Sequence, residues 1–203
     1  MRDYDGKSAA ERVAERRERL IDAGFQLFGE YGYAGTSVRA VLREAGLQDR
    51  YFAESFADLD ELLAAVHARL LDEELAVCRA AVEATSGGSE AARALLDALT
   101  RMLEKDPHRA RIKLHEVLSG GPRTHHHRQA ANDVFAELLA QQLPPANKRK
   151  KHDPDRRMLA LGLVAAGNEL MIAWHDDKQI TRKEVVDLAM VLFDALVDRL
   201  ARR

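Results

Sequence analysis

Apolar side chains recur every three or four positions along most of the chain, which is the spacing of an amphipathic helix. No stretch alternates apolar and polar residues in the way that a half-buried β-strand does. The pattern therefore predicts an all-α protein of about nine helices. In chain order they are residues 8–31, 38–45, 49–56, 58–84, 90–105, 108–119, 123–142, 154–176 and 182–201.

Residues that cap or break helices separate these segments. Thr36 or Ser37 can cap the second helix with a hydroxyl, and Gly46 ends that helix after two turns. Asp58 and Glu61 have the spacing of a capping box, in which the Glu61 carboxylate would reach back to the N–H of the cap residue. These signals indicate short, closely spaced helices at the N-terminal end and longer ones after residue 58.

Composition narrows the class of protein. The 203 residues are 46% hydrophobic and 32% charged, which is typical of a globular protein with a substantial core. Cys78 is the single cysteine, so an internal disulfide and a thiolate zinc site are excluded. No apolar run follows the N-terminal residues, and the longest one, residues 159–167, is far short of the ~20 residues of a membrane span. We expect no signal peptide, no membrane segment and a cytoplasmic protein.

Candidate chemistry for metal binding or catalysis is weak. The eight histidines include no pair three or four residues apart, and His125, His126 and His127 would fan around a helix instead of converging on one face. No nucleophile paired with a base and no phosphate-binding glycine loop stands out. We expect no metal, no cofactor and no enzymatic activity. The basic run at residues 147–152 is interpreted as a solvated connector in preference to a nucleic-acid patch.

Residues 36–56 carry the most informative pattern. Two short helices are joined by a tight turn at residues 45–48, where Gly46 permits the reversal and Leu47 anchors the second helix against the first. This is the layout of a helix-turn-helix, whose second helix offers its outer face to the major groove of DNA.

The same region resembles the TetR family of transcriptional regulators. The resemblance covers about residues 10–66 and rests on the segments 19–28, 31–33, 35–37, 45–47, 56–58 and 61–62, which are spaced as in the family with no insertion or deletion. It implies a DNA-binding domain at residues 1–57 and a helical effector-binding and dimerisation domain at residues 58–203. It also implies a homodimer that binds double-stranded DNA and is released by a small-molecule effector. Arg50-Tyr51-Phe52 matches a subgroup of the family with this recognition-helix sequence.

The resemblance places candidate DNA contacts at the two short helices. Thr36 and Ser37 would meet phosphate, and Arg39 would steer toward the backbone. Arg50 is the best candidate for guanine, whose two major-groove acceptors fit a guanidinium group. The full set of expected DNA-binding residues is Thr36, Ser37, Arg39, Gln48, Arg50, Tyr51, Glu54 and Ser55. Arg2, Lys7 and Arg43 are further candidates for backbone contacts.

Four positions depart from the family pattern. Ala53, Glu54 and Ser55 stand where the family usually has a tyrosine pair and a histidine, and Leu59 stands where it often has a lysine. Residues 1–62 contain nine basic and thirteen acidic side chains, a net charge of −4. Because phosphate neutralisation supplies much of DNA affinity, these features leave an alternative open. In that alternative the protein is a ligand-binding or partner-binding helical dimer whose DNA-binding head has degenerated.

The C-terminal helices predict a dimer interface and an effector pocket. The last two helices carry wider apolar faces than a core stripe needs, and the expected interface residues are Leu163, Leu170, Leu188, Leu192, Phe193 and Leu196. Asn168 and Glu169 interrupt the first of these helices, and they fit either an effector pocket or a hydrogen bond across the dimer. The expected pocket residues are Met102, His115, Phe135, Asn168, Glu169, Met171 and Trp174.

Overall fold

The computed structural model describes residues 8–145 and 154–202, and all regular structure in those ranges is helical. The all-α prediction is confirmed, and the ends of the predicted helices differ from the observed ones by at most two residues. The nine helices are α1 (Ala9–Tyr31), α2 (Val38–Ala45), α3 (Arg50–Ser55), α4 (Leu59–Glu83), α5 (Gly88–Lys105), α6 (Pro107–Arg111, Ile112–Glu116 and Val117–Ser119), α7 (Pro122–Ala140), α8 (Arg156–Asp176) and α9 (Arg182–Ala201). The N-terminal Arg2 and Lys7 and the basic run at residues 147–152 lie outside the described residues.

Side chains cap the helix starts largely as the sequence predicts. Ser37 is the N-cap of α2 and accepts a hydrogen bond from the Ala40 N–H at 3.2 Å. At the start of α4, Asp58 accepts from the Glu61 N–H at 2.9 Å. The Glu61 carboxylate accepts from the Ala57 N–H at 2.7 Å, one residue before the expected partner. The side chains of Asp58 and Glu61 therefore hold both Ala57, the residue before the cap, and the first turn of α4.

Helix α6 departs from the continuous α-helix that the sequence predicts. Its middle segment, Ile112–Glu116, is a π-helix, which accommodates one extra residue in a turn. The extra residue changes which side chains share a face, and Glu116 is buried although it is charged. Periodicity alone does not reveal such a change, since the apolar spacing on either side is still helical.

The described chain separates into two compact units. The first contains the chain up to Leu70 together with Arg111–His127, and the second contains Leu71–Ala110 and Arg128–Arg203. The predicted division between residues 1–57 and 58–203 concerns function and stays a prediction. The boundaries of the compact units differ from that division. The start of α4 and the segment 111–127 pack with α1 to α3 and so belong to the first unit.

Each unit has its own apolar core. In the first unit α1, α2, α3 and α4 enclose the buried side chains Leu20, Phe28, Val41, Phe52, Phe56, Leu62, Leu63 and Val66, joined by Ile112 and Val117 of α6. In the second unit α9 packs on α5 and α8. Its buried residues include Cys78, Leu95, Ala136, Met190 and Phe193. The first core is what fixes the two short helices in place.

Candidate nucleic-acid interface

The turn between α2 and α3 has the geometry that the sequence predicts. Gly46 lies in the left-handed region, with φ of 63° and ψ of 39°, where a residue with a Cβ would be strained. The N–H of Leu47 donates to the Leu42 carbonyl at 2.9 Å and closes the end of α2. The guanidinium of Arg19 from α1 donates to the carbonyl oxygens of Ala45 and Gly46. Helix α1 therefore holds the turn from behind.

Helix α3 turns its apolar side inward and leaves a polar side outward. Phe52 is buried, and its ring centroid lies 5.9 Å from that of buried Phe56. Gln48 and Arg50 are exposed at the start of the helix, and Tyr51 is half-buried beside them. This outer face, with an exposed guanidinium and a tyrosine, is free to meet the edges of bases in a groove.

Tyr51 lies between two arginines. The guanidinium carbon of Arg16 lies 4.5 Å from the centroid of the Tyr51 ring, and that of Arg50 lies 4.7 Å from it. Arg50 also donates a hydrogen bond to the Tyr51 hydroxyl at 2.7 Å. Arg50 is thus positioned by its neighbour in the free protein, which limits the conformations that it samples before binding.

The expectation for Thr36 needs correction. Thr36 is 8% exposed, and its hydroxyl donates to the Gly32 carbonyl at 2.7 Å, so this hydroxyl stabilises the loop before α2 and does not face a phosphate. Ser37 is exposed, although its oxygen already accepts the hydrogen bond that caps α2. Arg39 and Arg43 are exposed on α2 and stay candidates for backbone contacts.

Glu54 and Ser55 also differ from what the sequence indicates. The Glu54 carboxylate accepts two hydrogen bonds from Arg16 of α1, so its charge is paired within the protein. The Ser55 hydroxyl oxygen is buried without a hydrogen-bond partner among the described residues, and it is not presented outward. The Ser55 hydroxyl is therefore turned toward the protein, whereas Glu54 stays exposed and is paired with Arg16. Arg16 is a residue that sequence reasoning missed, because its separation of 38 positions from Glu54 leaves no local signal.

Comparison with known proteins identifies the region. Residues 20–66 match the family model described as bacterial regulatory proteins, tetR family. These residues contain α2, α3 and the turn between them. This part of the chain is similar to the DNA-binding region of TetR-family regulators. The finer assignment to the Arg-Tyr-Phe subgroup rests on the sequence of α3 alone.

Named relatives and solved structures extend this similarity. The chain is 37% identical over 83 residues to the HTH-type transcriptional regulator BetI of Stenotrophomonas maltophilia, a match that covers 40% of this chain and 42% of BetI. It is 24% identical to the HTH-type nicotine-responsive transcriptional repressor HdnoR of Paenarthrobacter nicotinovorans over 92% of this chain and 96% of HdnoR. The fold is similar to that of the transcriptional regulator FadR of Bacillus subtilis in complex with stearoyl-CoA, with a TM-score of 0.70, 16% identity, and coverage of 89% of this chain and 97% of FadR.

The segment 111–124 attaches to the end of α1 and to the start of α4. At the first, Glu116 accepts the Tyr33 N–H at 2.7 Å and the Arg111 Nε–H at 2.9 Å, and Arg111 donates to the Glu30 carbonyl at 2.8 Å. The end of α1 is therefore clamped by the π-helical segment of α6. Sequence periodicity does not predict this contact, since it depends on the phase change within α6.

The second attachment is made by Asp60 in the first turn of α4. Its carboxylate accepts hydrogen bonds from the N–H groups of Gly121, Arg123 and Thr124 at 2.8, 3.0 and 3.1 Å, and from the Thr124 hydroxyl at 2.7 Å. Burial raises the pKa of Asp60, but these hydrogen bonds lower it by more, so the pKa lies below its usual value. A Cβ added at Gly121 would lie 2.8 Å from this carboxylate, so only glycine permits the close approach.

The residues expected to line an effector pocket are divided between the two compact units. His115 belongs to the first compact unit, and the other six belong to the second. Phe135 and Met171 are buried core residues, Met102 is half-buried, and Glu169 is exposed. Asn168 donates from its side chain to the side chain of Asn132 at 3.1 Å, which accounts for this polar residue within the chain.

Trp174, one of the expected pocket residues, lines a cavity in the second compact unit. That cavity has a volume of about 250 Å³. Its walls are Leu103, Glu104, Pro107, Ala110, Trp174, His175, Lys178 and Ile180. The combination of an indole ring, aliphatic side chains and two oppositely charged groups suits a small amphipathic molecule.

Proposed function

We propose that this regulator represses transcription by binding a pseudo-palindromic operator as a homodimer, and that a small-molecule effector releases it. The observation that carries the proposal is the outward face of α3, where Arg50 is exposed beside Tyr51 and the helix is fixed by Phe52 and Phe56. Two such helices about 34–36 Å apart would meet successive major grooves on one side of the duplex.

The alternative of a degenerated DNA-binding head rests on the local charge and on Glu54. The pairing of Glu54 with Arg16 removes part of that support, because a carboxylate held by a guanidinium repels phosphate less than a free one. The net charge of −4 over residues 1–62 stays in its favour. Regulation by release is supported by two similar proteins, since HdnoR is nicotine-responsive and FadR was crystallised with stearoyl-CoA. The cavity lined by Trp174 is our candidate for the effector-binding site.

Titration of labelled DNA, followed by fluorescence anisotropy, tests the DNA-binding proposal. The DNA flanking this protein's own gene is compared with a scrambled duplex at two salt concentrations. We expect the flanking DNA to bind about a hundredfold or more tightly than the scramble, and both affinities to fall as salt rises. A duplex library selected against the protein serves as the second source of operators. Equal, weak binding to every duplex would support the degenerated head instead.

Dimerisation through α8 and α9 is supported by the apolar surface that a single chain leaves exposed. Leu188, Val191 and Leu192 on α9 are 52%, 65% and 45% exposed, and Met158 on α8 is 59% exposed. Helix α8 is long and apolar enough to cross a membrane by length and composition only, and no more than 22% of its apolar window is buried in the single chain. A second copy of this chain would cover these faces. Phe193 is not part of the proposed interface, because it is 2% exposed and packs within its own unit.

Replacing Leu188 with aspartate tests this interface. Leu188 lies on the exposed apolar face of α9, and a carboxylate there would be desolvated without a partner in a dimer. We expect Leu188→Asp to raise the dimer dissociation constant at least about tenfold, measured by light scattering after size exclusion. Leu118→Asp is the matched control, since Leu118 is 46% exposed and lies in the first compact unit. A dimer that survives Leu188→Asp and is lost with the control would contradict the proposal.

A further inference from the structure

We propose that Arg16 is a positioning residue for α3, acting through Glu54 and Tyr51 without touching DNA itself. The inference rests on the proposed function, because it concerns how α3 reads an operator. It assigns to Glu54 a role opposite to the one that its charge suggests. Glu54 would help sequence recognition by holding Arg16, although a carboxylate near phosphate is unfavourable.

The ion pair between Arg16 and Glu54 has a well-defined geometry. Arg16 Nε donates to Glu54 Oε2 at 2.9 Å, and Arg16 Nη2 donates to Glu54 Oε1 at 2.8 Å. These are two parallel hydrogen bonds between a planar guanidinium and a planar carboxylate. The side chains are 19% and 33% exposed, so the pair is less screened by solvent than a fully exposed one. It ties α3 to α1 across 38 residues of sequence.

The guanidinium of Arg16 also contacts Tyr51, which lies beside Arg50, the expected base contact. Arg16 lies 4.5 Å from the centroid of the Tyr51 ring while it holds Glu54. Tyr51 in turn contacts Arg50, through the ring at 4.7 Å and through its hydroxyl at 2.7 Å. The order of contacts is therefore Glu54, Arg16, Tyr51 and Arg50. Fixing the tyrosine restricts Arg50 before binding, so less side-chain freedom is lost when a base is read.

Two simpler roles predict different results. If Glu54 were only a repelling charge, Glu54→Gln would tighten binding to every duplex alike. If Arg16 were only a phosphate contact, Arg16→Ala would weaken binding to every duplex and lower the salt dependence by the equivalent of one phosphate. The positioning role predicts instead a loss of discrimination between the operator and a duplex with one changed base pair.

The experiment measures affinities of Arg16→Ala, Glu54→Gln and the double variant for the wild-type operator, for single base-pair variants of it and for a scramble. We expect each single variant to lower operator discrimination about tenfold, and the double variant to lower it no further than one of them, because the two residues act as one unit. The salt dependence is expected to stay unchanged. Arg16→Lys should behave like Arg16→Ala, since lysine keeps the charge but lacks the planar pair of donors.

Arg69→Ala is the matched control, because Arg69 pairs with Asp22 of α1 in the same compact unit but contacts no residue of α3 in the described structure. It should leave discrimination unchanged. Thermal unfolding verifies that each variant is folded, and Glu54→Gln conserves the shape of the side chain if Arg16→Ala is unstable. Additive effects, a changed salt dependence or tighter binding by Glu54→Gln would overturn the inference alone. A wild-type protein that selects no sequence would overturn the proposed function, and this inference with it.

Discussion

Replacing Arg50 and Tyr51 together with alanine is expected to remove sequence discrimination by the regulator while leaving weak binding to any duplex. Arg50 is exposed at the start of α3 and Tyr51 lies against it, so the double variant strips the outer face of its base-reading groups. A well-placed bidentate contact to a base contributes about 1–3 kcal/mol of discrimination. We expect the ratio of operator to scramble affinity to fall about a thousandfold, because both positions are lost together.

The control for this prediction is Arg39→Ala on α2. Arg39 is exposed, and a backbone contact there carries no sequence information. Its loss should weaken binding to operator and scramble by the same factor and reduce the salt dependence by about one phosphate. Comparison of the two variants separates base reading from phosphate contact. Discrimination that persists in the Arg50 and Tyr51 double variant would move the base-reading surface away from the outer face of α3.

Tyr51→Phe refines the same measurement. The phenylalanine ring keeps the contact with Arg16 but loses the hydroxyl that accepts the hydrogen bond from Arg50. A variant that discriminates like the wild type would assign the role of Tyr51 to its ring. Partial loss would assign it to the hydroxyl, either through Arg50 or through a base.

The fold could be predicted from the sequence because its determinants are local. The apolar spacing gives the helices, Gly46 gives the reversal between α2 and α3, and Ser37 and Asp58 give two of the helix starts. Each of these signals acts within about four residues, which is the range over which helical side chains and caps interact. The turn at Gly46 was predictable in detail because a left-handed residue followed by an apolar anchor leaves few alternatives.

The candidate site was less predictable because its determinants are distant in sequence. The orientation of Glu54 depends on Arg16, and the attachment of the segment 111–124 depends on Asp60 and on the π-helical turn of α6. Thr36 illustrates a different difficulty. A threonine before a helix can cap it, meet a phosphate or bond to the preceding turn, and the residue type does not decide among these roles. The packing of α1 on α2 decides it.

Replacing Asp60 with asparagine is expected to destabilise the first compact unit strongly. Asp60 is 8% exposed, and its carboxylate accepts four hydrogen bonds from residues 121–124, three from backbone N–H groups and one from a hydroxyl. Asparagine offers one neutral acceptor oxygen, which can take the place of Oδ1 and its three hydrogen bonds. Its NH₂ group would then face the Arg123 N–H, which loses its partner. Hydrogen bonds to a charged group and unsatisfied buried donors each contribute on the scale of kcal/mol. We therefore expect Asp60→Asn to lower the free energy of unfolding by about 3 kcal/mol at pH 7.

Asp58→Asn is the matched control for this substitution. Asp58 is two residues away, its side chain is half exposed, and it accepts from the Glu61 N–H as an N-cap. Asparagine caps helices about as well as aspartate, so this variant should lose about 1 kcal/mol or less, mainly through its contact with Arg123. Denaturant unfolding of both variants measures the difference. Equal losses in the free energy of unfolding would show that the buried hydrogen bonds of Asp60 contribute no more to stability than the exposed contacts of Asp58.

The pH dependence gives an independent check on Asp60. Because its pKa is lower in the folded state than the usual 3.8, the folded protein holds the carboxylate more strongly than the unfolded chain does. The resulting stability is present above the unfolded pKa and is lost as the pH falls through the folded value. The stability difference between wild type and Asp60→Asn should therefore be constant near neutral pH and shrink below about pH 4. A difference that persists undiminished in acid would mean that packing, and not the charge of Asp60, holds α7 to the start of α4.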